Sequence, residues 1–240
     1  MSREATASQQ ALSKVPALTL GFWAIKILAT TPGETGGDAV SMSLDLGYLV
    51  STGIFMALFV IAVAGQIRAK QFHPWLYWAT IIASTTVGTT LADFADRSLG
   101  IGYFGGSTLL ACLVAATLVA WHRSLGSIDV GSVHTPKAEA FYWLTIMFSQ
   151  TLGTALGDWT AASAGLGYTG AALIFAALLP LIVLAYYFTR VSRTALFWLA
   201  FVLTRPLGAV IGDYLDKPVA AGGLEFSRFT ATGVLLVAIA

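Results

Sequence analysis

Long apolar stretches alternate along this chain with short polar clusters. An α-helix needs about 20 residues to cross roughly 30 Å of hydrocarbon, and apolar windows of about that length lie near 17–37, 46–67, 75–95, 101–121, 140–160, 167–189, 195–214 and 224–240. The pattern therefore predicts an all-α membrane protein with eight transmembrane helices. The polar clusters between the windows predict the connecting loops.

Composition agrees with this prediction and narrows the expected partners. Of the 240 residues, 57% are hydrophobic and only 10% are charged, whereas soluble domains carry about a quarter charged residues. The net charge of +1 gives no reason to expect a nucleic-acid partner. The expected partners are the lipid bilayer and a cation or small solute, and a homo-oligomer stays open. The single cysteine, Cys112, excludes a disulfide framework.

Basic residues predict how the helices are oriented. One side of the membrane receives Arg3, Lys14, Arg68, Lys70, Arg123, Lys137, Arg190 and Arg193, while the other receives only Arg97, Lys217 and Arg228. Because bases accumulate on the cytoplasmic side, we expect both chain termini to be cytoplasmic.

One motif recurs four times and is the strongest signal in the sequence. Its copies align without a gap as FWAIKILATTPGETGGD, YWATIIASTTVGTTLAD, YWLTIMFSQTLGTALGD and FWLAFVLTRPLGAVIGD. Each copy holds an aromatic–tryptophan pair, a glycine ten residues after the tryptophan and an aspartate five residues further. These residues are Trp23, Trp78, Trp143 and Trp198; Gly33, Gly88, Gly153 and Gly208; and Asp38, Asp93, Asp158 and Asp213.

The motif also divides the chain, since each copy begins a helical hairpin. We expect a first half at 17–124, with repeats 17–70 and 71–124, and a second half at 140–240, with repeats 140–193 and 194–240. Residues 1–16 are predicted to form a cytoplasmic tail and 125–139 a cytoplasmic linker.

This register resembles a bacterial membrane family described only as a four-fold repeat of unknown function, whose members are also called uncharacterised membrane-anchored proteins. Members have two transmembrane helices and a characteristic tryptophan per repeat. The resemblance covers nearly the whole chain, although the fourth repeat departs from the pattern after Asp213. It implies this architecture and a location in the bacterial cytoplasmic (inner) membrane, and it implies no established activity.

Two-helix repeats return the chain to its starting side, so all four share one orientation. The pseudo-symmetry axis should therefore lie along the membrane normal, unlike the axis of inverted repeats. At 100° per residue, positions seven and eleven after each tryptophan share its helix face within about 20°. These positions form a polar stripe on the odd-numbered helices, while the even-numbered helices are almost purely apolar. We expect the odd helices inside and the even helices facing lipid. The stripe comprises Thr30, Thr85, Gln150 and Arg205 at position seven, and Glu34, Thr89 and Thr154 at position eleven.

Glycine and tryptophan in the motif have a structural interpretation. The four motif glycines each begin a small-xxx-small pair, which lets helix backbones approach closely in a bilayer. We interpret Gly33, Gly88, Gly153 and Gly208 as packing residues. The four motif tryptophans are interpreted as interfacial or packing anchors. The threonines and the glutamine of the stripe fit hydrogen bonds between helices as well as a substrate pathway.

The aspartates need a further explanation. A charged aspartate at the bilayer centre costs roughly 2.5–3.5 kcal/mol, so four facing lipid would cost about 10–14 kcal/mol, as much as a domain's whole stability. They must therefore lie in an aqueous vestibule, be paired with bases, be protonated, or lie at the headgroup boundary. Converging carboxylates repel each other unless a cation or protons neutralise them, and oxygen ligands suit Mg²⁺, Ca²⁺ or Mn²⁺.

The leading hypothesis is therefore a transporter or exporter of a cation, of which a divalent metal fits best, and the four repeat aspartates are expected to form a girdle that handles it. The candidate metal ligands are Asp38, Asp93, Asp158, Asp213 and Glu34. The candidate substrate pathway adds Thr30, Thr85, Gln150, Arg205, Thr89, Thr154, Asp96 and Asp216.

Two alternatives stay open. The first is a proton-coupled carrier of a small organic solute, and the second is a membrane scaffold that transports nothing. An enzyme is not expected, because the sequence holds no Gly-x-Ser-x-Gly nucleophile motif, His-Glu-x-x-His metal motif or phosphate-binding glycine loop.

Overall fold

The computed structural model describes residues 13–239. Within them the chain forms eight α-helices and no strand, so the prediction of an all-α fold is confirmed. The helices are α1 (Leu20–Asp38), α2 (Gly47–Arg68), α3 (Pro74–Asp93), α4 (Gly102–Leu125), α5 (Pro136–Asp158), α6 (Gly167–Phe188), α7 (Arg193–Asp216) and α8 (Arg228–Ile239). Most of the predicted cytoplasmic tail, residues 1–12, lies outside the described residues.

The four odd helices form a closed inner ring. Helix α1 packs against α3 and α7, and α5 packs against the same two helices from the opposite side. All seven polar residues of the predicted stripe are buried in this ring, with at most 2% of their surface exposed. The prediction of odd helices inside with their polar stripes turned inward is confirmed.

Each even helix covers the inner helix of the following repeat. Thus α2 packs on α3, α4 on α5, α6 on α7, and α8 closes the circle on α1. The even helices expose many large apolar side chains, among them Ile61, Phe104, Leu173 and Val237. A soluble protein rarely leaves so much apolar surface uncovered, so this outer layer fits lipid.

Length and composition identify the membrane-crossing elements. Helices α2, α4, α6 and α7 are long and apolar enough to span a bilayer. In α1, α3 and α5 the polar stripe dilutes the apolar character, although they stand in the same ring as α7. The described part of α8 has 12 residues, or about 18 Å of helix.

The motif glycines pack against position seven of the next repeat. A Cβ atom on Gly33 would collide with Thr85, one on Gly153 with Arg205, and one on Gly208 with Thr30. At Gly88 the added carbon would lie 2.8 Å from the main-chain carbonyl carbon of Gln150. The interpretation of these glycines as packing residues agrees with this geometry, because each removes a side chain where two inner helices meet.

We expect Gly88→Ala to destabilise the protein by about 1–3 kcal/mol, the usual cost of overpacking. The obstacle is backbone, which has no rotamer by which to move aside. Thermal unfolding of the purified protein in detergent measures the effect. Gly53→Ala on the exposed face of α2 is the matched control, because nothing lies within 4 Å of its new Cβ. Equal midpoints for the two variants would contradict the packing role.

The tryptophans and the aromatic residues before them form a layer that closes one end of the ring, here called the aromatic end. In every repeat the aromatic residue contacts the tryptophan of the next repeat. The ring-centroid distances are 5.6 Å for Phe22–Trp78, 5.6 Å for Tyr77–Trp143, 6.1 Å for Tyr142–Trp198 and 5.7 Å for Phe197–Trp23. Aromatic pairs at such distances are favourable. The tryptophans therefore act as packing anchors inside the bundle.

The opposite end of the ring begins at the motif aspartates and is called the aspartate end. After Asp38, Asp93 and Asp158, the helix widens for five residues, and an amide donates to the carbonyl five residues earlier, as from Leu44 to Ala39. Such wide turns occur frequently at functional sites. Repeat four differs, since α7 continues as α-helix to Asp216.

Candidate functional site

The four motif aspartates lie at the aspartate end of the ring and are buried, with 0–6% of their surface exposed. They meet as two pairs, and a basic side chain closes each pair. The first pair is Asp38 on α1 and Asp213 on α7. Lys217 forms an ion pair with Asp38, and its Nζ lies 2.9 Å from Asp213 Oδ1.

The second pair joins the other two inner helices in the same way. Arg97 Nε lies 3.0 Å from Asp93 Oδ1, and Arg97 Nη2 lies 3.5 Å from Asp158 Oδ2. Arg97 also donates a hydrogen bond of 3.1 Å to the hydroxyl of Tyr48 on α2. Two acid–base–acid clasps thus replace the single carboxylate girdle that the sequence suggests. We call them the lysine clasp (Asp38, Lys217, Asp213) and the arginine clasp (Asp93, Arg97, Asp158).

The two clasp bases occupy equivalent positions in repeats two and four, each four residues after the motif aspartate. Sequence reasoning treated Arg97 and Lys217 only as loop charges and missed them as site residues. The signal was present, because both directly follow the second acid of these repeats, in DFADR and DYLDK. Repeats one and three have Met42 and Ala162 at this position, so the site has two-fold symmetry within a four-fold frame.

The second acids themselves, Asp96 and Asp216, have different surroundings. Asp216 Oδ2 accepts a hydrogen bond of 2.6 Å from Arg228 Nε, and Asp216 Oδ1 lies 3.9 Å from Lys217 Nζ. Asp216 therefore extends the lysine clasp. Neither oxygen of Asp96 has a hydrogen-bond partner within residues 13–239, and the carboxyl group faces Gly106 on α4. The arginine clasp has no such extension.

The carboxylates of the lysine clasp favour the protonated form of the Lys217 amine. Burial by itself lowers the pKa of Lys217, but the carboxylates of Asp213, Asp38 and Asp216 outweigh it and raise the pKa well above its ordinary value. The three carboxylates thus favour the charged form of Lys217, whose positive charge offsets part of theirs.

Below the clasps, one guanidinium group joins all four inner helices. Arg205 on α7 is fully buried. Its Nη2 lies 2.9 Å from Glu34 Oε2 on α1, and 2.7 and 2.6 Å from the hydroxyl oxygens of Thr89 on α3 and Thr154 on α5. Four of the predicted pathway and ligand residues therefore form one polar network across the axis.

The side chains of the remaining stripe residues do not bond to that network, although the main-chain carbonyl oxygen of Thr85 lies 3.4 Å from Arg205 Nη2. Gln150 is fully buried, and neither atom of its amide has a hydrogen-bond partner in the described chain. Thr30 and Thr85 donate to carbonyl groups of their own helices. Closer to the aromatic end, the buried Lys26 amine donates a 3.1 Å hydrogen bond to Thr204 and lies 3.8 Å from the centre of the Phe201 ring.

From the aromatic end to the aspartate end, the axis thus passes an aromatic layer, a buried lysine, an arginine–glutamate network and two acid–base clasps. The carboxylates and bases of this axis are held by side chains from neighbouring repeats, so the site exists only in the assembled ring. Charged residues inside a membrane bundle are costly and usually functional.

The fold and this axis define a class: an all-α membrane protein of eight helices, built from four repeats around a polar centre. The chain belongs to the family described as Repeat of Unknown Function (DUF347), which it matches at residues 21–72, 76–127, 141–192 and 196–240. The resemblance seen in the sequence is thereby confirmed. Neither a curated protein nor a solved structure matches the chain.

Proposed function

We propose that this protein is a membrane transporter of a cation, of which a divalent metal such as Mn²⁺, Mg²⁺ or Ca²⁺ fits best. The observation that carries the proposal is the grouping of four buried aspartates, one from each inner helix and paired two by two, at one end of a polar axis. The carboxylates have the oxygen chemistry that hard cations prefer. Lys217 and Arg97 offset only part of their charge, and a cation could replace these bases.

A carrier that alternates between states suits this architecture better than an open pore. The axis is closed at both ends, by the aromatic layer on one side and by the two clasps on the other. Arg205 also crosses the middle of the ring. Passage of an ion therefore requires ion pairs to break in sequence, which is the behaviour of a gated transporter. We place the protein in the bacterial cytoplasmic membrane with both termini inside.

Reconstituted liposomes, loaded in separate experiments with a fluorescent indicator that responds to Mn²⁺, Mg²⁺ or Ca²⁺, test the proposal. Purified protein should admit at least one of Mn²⁺, Mg²⁺ or Ca²⁺ faster than protein-free liposomes do. The double variant Asp38→Asn/Asp213→Asn should slow this flux about tenfold or more, equivalent to losing at least about 1.4 kcal/mol of stabilisation.

Asp45→Asn is the matched control for that variant, because Asp45 is exposed in the loop before α2 and its left-handed backbone (φ 55°) suits asparagine equally well. Absence of flux for all three metals would contradict metal transport. Unchanged flux in the double variant would show that the aspartates do not carry it.

A second candidate is a proton-coupled carrier of a small organic solute. The observation that favours it is the deeper layer, where Arg205, Gln150 and Lys26 provide buried donors that a metal cation does not need. Solute flux driven by a pH gradient and indifferent to metals would support this candidate. If neither metal nor solute moves and all four Asp→Asn substitutions leave the cellular phenotype intact, the protein is a scaffold.

A further inference from the structure

Three carboxylates, and not two, surround the ammonium group of the lysine clasp. Asp38, Asp213 and Asp216 can each present one oxygen so that all three oxygens lie within 4.8 Å of one another. These oxygens come from two neighbouring inner helices, and at most 6% of each residue is exposed. That spacing allows one small cation to bind all three groups.

The charges around this cluster favour a divalent ion. Three carboxylates carry −3, and Arg228, which donates to Asp216, contributes +1, so the surroundings of Lys217 sum to −2. The ammonium supplies only +1 and leaves the buried cluster one charge short of neutrality. A divalent cation in its place would balance the cluster, whereas a monovalent cation would balance it no better than Lys217 does.

Oxygens without partners point to a ligand at the same place. Asp38 Oδ1 and Asp216 Oδ1 are buried and accept no hydrogen bond from any residue of the described chain. A buried acceptor without a partner is costly, and a charged one more so. The lysine ammonium has only three protons, all directed from one point, and so it leaves acceptors that a metal ion with several coordination positions would use.

Lys217 lies directly after the end of α7. It follows the last residue of α7 with an extended backbone (φ −73°, ψ 153°), and the segment after it returns to donate from Glu225 N to Lys217 O at 2.9 Å. Its side chain is 11% exposed, while those of Asp38 and Asp213 are 1% and 2% exposed. The side chain of Lys217 is therefore the more exposed member of each of these ion pairs.

We propose that Asp38, Asp213 and Asp216 form a divalent-cation site, and that Lys217 is a tethered counter-ion that occupies this site when no cation is bound. The inference rests on the proposed transport function and assigns its binding step to one clasp. The arginine clasp has only two carboxylates, and its guanidinium also donates a hydrogen bond to Tyr48. We assign this clasp a structural role, because it links α3 and α5 on the opposite side of the ring.

Equilibrium binding of Mn²⁺ to the purified full-length protein tests this site, with the electron paramagnetic resonance signal of free Mn²⁺ as readout. Removing the competing ammonium in Lys217→Met should tighten binding about tenfold or more, with one Mn²⁺ per chain. Adding Asp216→Asn to that variant should remove the gain. Arg97→Met is the matched control and should show no comparable gain, because only two carboxylates remain there.

Restoring the charge provides a second test that does not depend on how well Lys217→Met folds. In a Cys112→Ser background, Lys217→Cys should bind Mn²⁺ more tightly than wild type. Aminoethylation of the new cysteine rebuilds an ammonium group and should return the affinity to the wild-type value. A gain that persists after aminoethylation would overturn the tethered counter-ion.

The outcomes separate this inference from the proposed transport. If Lys217→Met gains no Mn²⁺ affinity, or Arg97→Met gains as much, the three-carboxylate site is wrong even when the wild-type protein transports metal. If Lys217→Met gains affinity and the wild-type protein transports no metal, the site is upheld and the transport function is overturned.

Discussion

Replacing Arg205 by methionine is expected to cost about 3–5 kcal/mol of folding stability, the usual effect of removing one partner from a buried ion pair. The substitution leaves the Glu34 carboxylate without its counter-charge in a site with 2% exposure. It also removes a group that contacts α1, α3 and α5 together. Thermal unfolding in detergent should show a midpoint lowered by several degrees.

A second substitution distinguishes the buried charge from lost packing. Glu34→Gln removes the negative charge but keeps the shape, so it should recover a substantial part of the stability of Arg205→Met. Arg190→Met in the exposed loop before α7 is the matched control and should stay within about 0.5 kcal/mol of wild type. Additive losses in the Arg205/Glu34 double variant would contradict the pairing.

Truncating Trp143 in the aromatic layer should have an effect of similar size. Trp143 is 3% exposed, and its ring centre lies 5.6 Å from that of Tyr77 and 5.2 Å from that of Tyr142. Trp143→Ala therefore opens a cavity in the layer that joins all four inner helices. We expect a loss of about 3–5 kcal/mol, as for other buried tryptophans.

The same unfolding measurement checks this expectation. Trp75→Ala provides the control, since Trp75 is 69% exposed at the start of α3 and its truncation leaves no cavity. If the two tryptophan variants unfold at the same temperature, the aromatic layer is not a structural closure. If Trp143→Ala keeps its stability but lets ions leak faster through liposomes, the aromatic layer is a gate and has no packing role.

The sequence predicted the inner ring because two patterns agree. The helical period of the polar positions and the register of the four repeats both place the polar stripe on the same face of each odd-numbered helix. An ionisable residue such as Glu34 at position eleven is expected in a membrane helix only where it faces the bundle interior or a water-filled cavity. Four helices with that stripe in one register can satisfy it only around a common axis. The sequence also assigned Glu34 and Arg205 to this polar stripe, and in the structure the two residues form a 2.9 Å ion pair.

The clasps were harder to predict, because they depend on where a chain goes after its helix ends. Arg97 lies within a wide helical turn and Lys217 directly follows an α-helix, yet each contacts an aspartate four residues earlier and one on a neighbouring repeat. Helical periodicity does not extend into such turns. The packing of each even helix on the next repeat was also outside prediction, since an almost uniformly apolar helix has no face that specifies its neighbour.

The closure of the circle between the first and last repeats has a consequence for biogenesis. Lys26, Glu34 and Asp38 on α1 all find their partners on or just after α7, at Thr204, Arg205 and Lys217. During synthesis α1 leaves the ribosome before α7, so its three ionisable groups have no partner from the fourth repeat at that stage. We therefore expect a chain that stops before the fourth repeat to leave Lys26, Glu34 and Asp38 without these partners.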